Sequence, residues 1–240
     1  MKYTVKTDLH THTIASDHAF STVEENVRYA SKIGMEAIAL TDHTITLGDA
    51  PHMWHFEAID LIPPYVDGVR VLRGCEANIL NINGDIDMTE DDAKKLEIVI
   101  ASIHSPAYAD NGYEGLHTTA YMNVLENPIV DILGHSGNAK CPYDIDKVVR
   151  RAKELNKLIE INAHSFDARK SSIENCRKIA LACKKIGTGI CVNSDAHFSH
   201  SIGEFDKAFE MLSDIDFPEE LIMNRDYETL KKYFSVRKEI

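Results

Sequence analysis

Short runs rich in β-branched residues alternate with longer stretches of helical periodicity along this 240-residue chain, and nothing else restricts its fold so tightly. The runs occupy residues 4–9, 36–40, 70–72, 98–103, 130–133, 158–161 and 189–192. Between them lie stretches such as TVEENVRYASKI, DIDKVVRRAKEL and SIENCRKIALACKKI, whose apolar residues recur three and four positions apart on one helix face. Strand–helix alternation predicts an α/β fold with a parallel sheet and right-handed crossovers. About seven such units favour a closed or nearly closed barrel, with an open doubly wound sheet as the alternative.

The punctuation agrees. Ser21 with Glu24 is read as a capping box opening the first helix, and Gly34 and Gly187 are placed to close helices. Asn83-Gly84, within NILNINGDIDM, reads as a hairpin turn on an excursion from the main sheet. No linker or low-complexity tract divides the chain, so one domain over residues 1–240 is expected. The net charge of −12 argues against an extensive nucleic-acid or anionic-membrane surface, while leaving room for a local positive site. The N-terminus has no apolar leader and no stretch is long enough to span a membrane, which makes the cytoplasm the expected location. Five cysteines without a CxxC pair read as reduced structural thiols, Cys176 and Cys183 sharing the buried face of one helix.

The chain has twelve histidines, and their placement matters more than their number. TDLHTHT at residues 7–13 ends the first strand; in extended backbone Asp8, His10 and His12 would share a face, with Leu9 and Thr11 opposite. The second strand leads to His43, the third to Glu76, the fourth to His104, the fifth to His135, and the seventh to Asp195 and His197. His18 lies in the loop after the first strand. C-terminal strand ends converge on one rim of a barrel, where sites are built. Seven histidines and two carboxylates on that rim predict a metal site.

Nine donors are too many for one ion and suit two or three, and an imidazole-rich set favours zinc, iron or manganese over calcium or magnesium. Three divalent ions would bring six positive charges, of which Glu76 and Asp195 cancel two. The remainder favours a small, multiply charged anion such as a phosphate group. Paired ions share a hydroxide and clamp attacking and leaving oxygens together, so no Ser, Cys or Asp nucleophile is required.

DLHTHTIASDHAFST, LTDH followed by ITLGDAPHMWHF, VLRGCEANI, ILGHSGN, LEINAHSF and SDAHFSHSIGEF together resemble the PHP (polymerase and histidinol phosphatase) family, in particular its small-phosphatase branch. The resemblance runs from residue 8 to residue 205. It implies a distorted seven-stranded, TIM-barrel-like (β/α) barrel with a trinuclear metal centre that hydrolyses phosphate esters. It further implies that His10 and His12 hold one ion with Glu76 and Asp195. Glu76 would bridge to a second ion held by His104 and His135, and His18, His43 and His197 would hold the third. Met53 and His164 depart from the family pattern and bear on substrate preference.

Around these positions, Asp8 and Asp42 are read as orienting the ligands, and Glu160 and Asn162 as facing inward, Asn162 nearer the site. Arg169 and Lys170 follow the sixth strand on the same rim; resemblance selects Arg169 to grip phosphate oxygens. Arg73 has the wrong parity and points to the helices. His52 and His55 flank Trp54, walling the pocket or protonating a leaving group, while Trp54 itself reads as a packing anchor. His117 and His200 read as surface residues. The expected function is metal-dependent hydrolysis of small phosphomonoesters by a metal-bridging hydroxide, with Arg169, Glu76 and Asp195 as catalytic residues and three divalent ions, zinc first and manganese or iron next. The rivals are an amidohydrolase-type C–N hydrolase and a non-catalytic metal-binding regulatory module.

Overall fold

The computed structural model describes residues 3–108, 113–168 and 170–240. Its strands are β1 (Thr7–Thr11), β2 (Ala37–Leu40), β3 (Tyr65–Val66), β4 (Val69–Asn78), β5 (Ile98–Ser102), β6 (Ile132–Leu133), β7 (Leu158–Asn162) and β8 (Ile190–Asn193). The helices are α1 (Val23–Lys32), α2 (Trp54–Glu57), α3 (Glu114–Glu126), α4 (Ile145–Glu154), α5 (Ser165–Ala168), α6 (Ile173–Ile186), α7 (Asp206–Asp214) and α8 (Tyr227–Phe234). Seven strands run parallel in the order β1-β2-β4-β5-β6-β7-β8, a nearly closed α/β barrel.

Local chemistry accounts for most boundaries and corrects several expectations. The capping box lies one residue later than expected: Thr22 caps α1 and Glu25 reaches back to it. The Ser21 hydroxyl instead accepts the Ser199 N–H at 2.9 Å. β3 and β4 form a hairpin through Asp67 (φ 49°) and Gly68 (φ 81°), a two-residue turn that the Asp-Gly pair favours. The turn at Asn83-Gly84 produces one antiparallel bridge, Ile79 to Ile86, and no ladder. Gly84 is needed there for packing as well as for its φ of 78°, because a Cβ would fall 2.4 Å from the Val124 nitrogen in α3.

β4 is far longer than residues 70–72 because it serves two neighbours in turn. Its first half pairs with β2 as far as Arg73, and from Gly74 onward it pairs with β5. At that handover a Cβ on Gly74 would sit 2.6 Å from the Ile98 carbonyl oxygen and 2.9 Å from Thr41. Glu76 therefore lies inside a strand.

β1 also departs from simple alternation. Its register with β2 shifts between Asp8 and Thr11. Leu9 joins the inner apolar layer with Ala39, Leu72, Ile98, Ile100, Leu158 and Cys191, yet His10 also turns inward. Asp8 leaves that face, accepting N–H groups of Ser194 (3.1 Å), Gly203 (3.3 Å) and His10 (3.4 Å). Leu230 and Phe234 of α8 plug the bottom of the same layer.

The barrel seam lies between β8 and β1; among the described residues it is crossed by one bridge, from Thr11 to Ala196, three residues past the end of β8. Below it, residues 222–225 fill the gap. Ile222 bridges Ile190, and Lys6 N–H donates to the Arg225 carbonyl at 3.0 Å. Asn224, fully buried, accepts Val192 N–H at 3.0 Å and donates to the carbonyls of Thr7 (2.8 Å) and Val192 (2.7 Å). One side-chain amide thus satisfies the backbone edges that a missing strand would have paired.

Candidate metal centre

The interior changes character toward the C-terminal rim. Beyond the apolar layer, inward positions are occupied by His10, Glu76, Asn78, Glu160, Asn162 and Asn193, every one at most 2% exposed. The imidazoles of His10, His12, His18, His43, His104, His135 and His197 form one continuous cluster, with neighbouring ring centroids 4.3–6.1 Å apart. Five of them, His18, His43, His104, His135 and His197, account with Glu76 and Asp195 for most of the wall of an open cavity of about 460 Å³. Asp195 sits at φ 55°, a left-handed conformation uncommon outside glycine, at the bend that follows β8.

Donor atoms of His10, His12 and Glu76 gather closely, and Asp195 Oδ1 borders both histidines. His10 Nε2 lies 3.3 Å from Glu76 Oε2 and 3.5 Å from Asp195 Oδ1; His12 Nε2 lies 3.7 and 3.2 Å from the same oxygens. Donors placed tetrahedrally at zinc bond lengths stand roughly 3.3 Å apart. The other Glu76 oxygen faces His135 Nε2 at 2.8 Å and His104 Nε2 at 3.5 Å. Glu76 is therefore placed between two donor sets. His10 Nε2, His43 Nδ1 and Glu76 Oε2 are buried and make no well-aligned hydrogen bond; they face one another, Glu76 Oε2 lying 3.3 Å from His10 Nε2 and 2.9 Å from His43 Nδ1, an arrangement that an ion between them would satisfy. This donor set fits divalent transition-metal ions.

The remaining donors group somewhat differently from the expected third set. His43 groups with His12 and His197, with His18 and Asp49, and also with Glu76 and His104, where the resemblance expects His135. His18 is exposed and its Nδ1 meets the Asp49 carboxylate.

Burial and the carboxylates set protonation. Burial pushes the His12 imidazole down to about 3, against the pull of Asp195, leaving it neutral as a metal ligand must be. At His10 burial acts in the same sense, but Glu160, Glu76 and Asp195 outweigh it and hold the imidazole well above its ordinary value. Burial opposes ionisation of Glu76, and the surrounding histidines, His10 foremost, overcome it and hold the carboxyl well below the usual range. A divalent ion held by His10, His12 and Glu76 would take the place of the His10 proton.

Several orienting residues differ from expectation. Glu160 touches the donor set more directly than Asn162, because its Oε1 accepts the His10 Nδ1–H at 2.8 Å and its Oε2 accepts the His135 N–H at 2.6 Å. Asn162 bridges the Glu160 and Asp195 carboxylates at 3.1 Å each. Asn78 accepts the His104 Nδ1–H at 2.8 Å, and the Asp195 carbonyl accepts that of His197 at 2.9 Å. Asp42 holds no ligand ring; it ties down the β1 loop through Thr13 N–H (2.7 Å) and Ser16 (2.8 Å), while His55 stands 3.4 Å away. Arg73 bonds Glu97 at 3.0 Å, away from the site as expected. Trp54 is 71% exposed and anchors nothing, and His117 is buried against the Pro142 carbonyl at 3.1 Å. Arg169 lies outside the described residues. Asp49 was not singled out in the sequence; its place after His43 on the same rim was the available signal.

The comparisons with known proteins accord with this geometry. The PHP domain profile matches residues 8–175. A protein of Acetivibrio thermocellus named "Probable phosphatase" is 46% identical over 239 residues, covering 100% of this chain and 98% of that protein. Another so named, from Clostridium acetobutylicum, is 45% identical, covering 99% and 96% of the two chains. In fold, the chain is similar to histidinol phosphate phosphatase from Lactococcus lactis, solved with zinc, L-histidinol and phosphate. The TM-score is 0.65 at 19% identity, covering 89% of this chain and 94% of that one. The chain belongs to the PHP domain family.

Proposed function

We propose that this chain is a metal-dependent phosphoesterase that hydrolyses small phosphomonoesters, working as one barrel unit over residues 1–240. The observation that carries the reading is Glu76, whose two carboxylate oxygens face different histidines, Oε2 facing His10 and His43 and Oε1 facing His135 and His104. The relatives' names support the same chemistry. The ion count is taken as three: one with His10, His12, Glu76 and Asp195; one with Glu76, His104 and His135; one with His18, His43 and His197. Asp49 fixes His18 on the exposed side. Zinc is the first candidate, with manganese or iron next.

When bound, divalent ions supply Lewis acidity, an activated water and a clamp for the in-line displacement at phosphorus. The protein's part is to hold the donors and to shape the approach. Glu160 fixes His10 and the His135 backbone together, so that two donor sets keep their spacing. Burial keeps His12 neutral and ready to bind. Among the described residues the cavity lining contains no Lys or Arg, so cationic attraction for phosphate comes from the ions, with Arg169 proposed, on the family resemblance, as a phosphate-binding residue. The test is hydrolysis of an aryl phosphomonoester with and without chelator. Turnover that chelator abolishes and His10→Ala lowers at least 100-fold supports the reading. Metal-loaded protein that turns over no phosphomonoester or phosphodiester overturns it in favour of a C–N hydrolase or a binding module.

A further inference from the structure

His164 is left without a task by the metal centre. It lies two residues past the end of β7, just before α5, on the rim that carries the ligands. It is exposed, belongs to none of the four donor groups, and its ring centroid lies 6.1 Å from that of His197. It lines the main cavity and also a second cavity of about 350 Å³. The second cavity is walled by Ser194, Ser201, Glu204, Asp206 and the Asp167–Lys207 ion pair. The two spaces share one imidazole as a wall.

We propose that the second cavity is the subsite for the alcohol half of the phosphoester, and that His164 is the residue that selects it; this rests on the phosphatase reading above. A phosphomonoester placed with its head at the metal donors must direct the rest of the molecule along the rim. Beside His164 that remainder meets hydroxyls and carboxylates, which accept O–H groups, and an imidazole that both donates and accepts. A second phosphate in the same space would face Asp167, Glu204 and Asp206. The one cation among the described lining residues, Lys207, is already paired with Asp167. Like charges at such separations repel. The subsite therefore takes an uncharged, hydroxyl-bearing alcohol, as in a small polyol or sugar monophosphate, and discriminates against bisphosphates.

The experiment compares kcat and KM of the metal-loaded enzyme on glycerol 3-phosphate, fructose 1,6-bisphosphate and an aryl phosphate. The proteins are wild type, His164→Ala and Glu204→Gln, and elemental analysis accompanies each preparation. One lost hydrogen bond corresponds to a loss of up to about tenfold. His164→Ala is expected to lower kcat/KM for glycerol 3-phosphate about tenfold more than for the aryl phosphate, mainly through KM, with metal content at the wild-type value. Glu204→Gln is expected to narrow the gap between monophosphate and bisphosphate several-fold. Equal losses on glycerol and aryl phosphates with His164→Ala, or a wild type that prefers the bisphosphate, overturn the subsite while leaving the phosphatase reading intact. A wild type that hydrolyses none of the three removes that reading and the subsite with it.

Discussion

Glu160→Gln changes one atom and leaves the shape of the side chain intact, which makes it a sharp probe of how the metal donors are held. The Glu160 carboxylate accepts four hydrogen bonds. Oε1 takes His10 Nδ1 at 2.8 Å and Asn193 Nδ2 at 2.9 Å; Oε2 takes the His135 N–H at 2.6 Å and Asn162 Nδ2 at 3.1 Å. A glutamine amide keeps one acceptor oxygen and turns an NH₂ toward two donors, whichever way it is flipped. Two bonds to the charged carboxylate are lost in a dry interior, where each contributes about 1.5–3 kcal/mol. A total near 3 kcal/mol lowers the melting temperature of the metal-free protein by roughly 6–12 °C. With His10 no longer fixed, metal affinity falls about 10- to 100-fold, the usual effect of removing such an orienting group. Competitive titration with a chromophoric zinc chelator reads the affinity, and calorimetry of the metal-free protein reads the melting. Unchanged affinity and unchanged melting would refute the claim that Glu160 orients the donor set.

Two further outcomes follow from other parts of the fold. Asn224→Ala leaves Val192 N–H and two carbonyls at the seam without their partner, so unfolding free energy measured in denaturant should fall by about 3 kcal/mol or more; a change under 1 kcal/mol would mean the seam does not depend on that amide. At Glu97, burial opposes ionisation, but the Arg73 backbone N–H and the guanidinium groups of Arg73 and Arg70 hold its carboxyl below the ordinary value. Because the folded-state pKa is depressed, the stability Glu97 contributes is present above the unfolded pKa near 4.5 and lost as pH falls through the folded value. Glu97→Gln should therefore destabilise the protein at pH 7 by about 2 kcal/mol, with the difference from wild type closing in acid; a difference independent of pH would point to packing instead.

Much of this molecule is legible in its sequence because the strongest signals are local. β-branched runs marked all seven parallel strands, and the histidines and carboxylates toward the C-terminal ends of six of them pointed to the rim. The site followed because His43, His104, His135 and His197 need only sit at the ends of their strands to converge. What was hidden depends on contacts distant in sequence. The register shift that turns both Leu9 and His10 inward, and so releases Asp8 from the site, is set by pairing with β2. Asn224 closes the seam from 217 positions beyond Thr7, and no periodicity announces such a residue. Glu160 and Asn162 showed the same inward parity, and only the approach of His10 and His135 tells them apart. Trp54 was misjudged for a physical reason: a large aromatic side chain usually finds a core, yet α2 lies on the surface and its burial goes to Phe56. By contrast the Asp67-Gly68 hairpin was open to a sequence reading, since Asp-Gly between apolar residues is the same kind of signal as Asn83-Gly84.

Metal stoichiometry tests the central claim most directly. Elemental analysis of the purified protein, repeated after chelation and reconstitution with zinc, should find about three transition-metal ions per chain, with fewer in His10→Ala. A chain that binds no metal after reconstitution would contradict the account, because the packing of His10, His12 and His43 against Glu76 and Asp195 in a dry interior would then serve no ion.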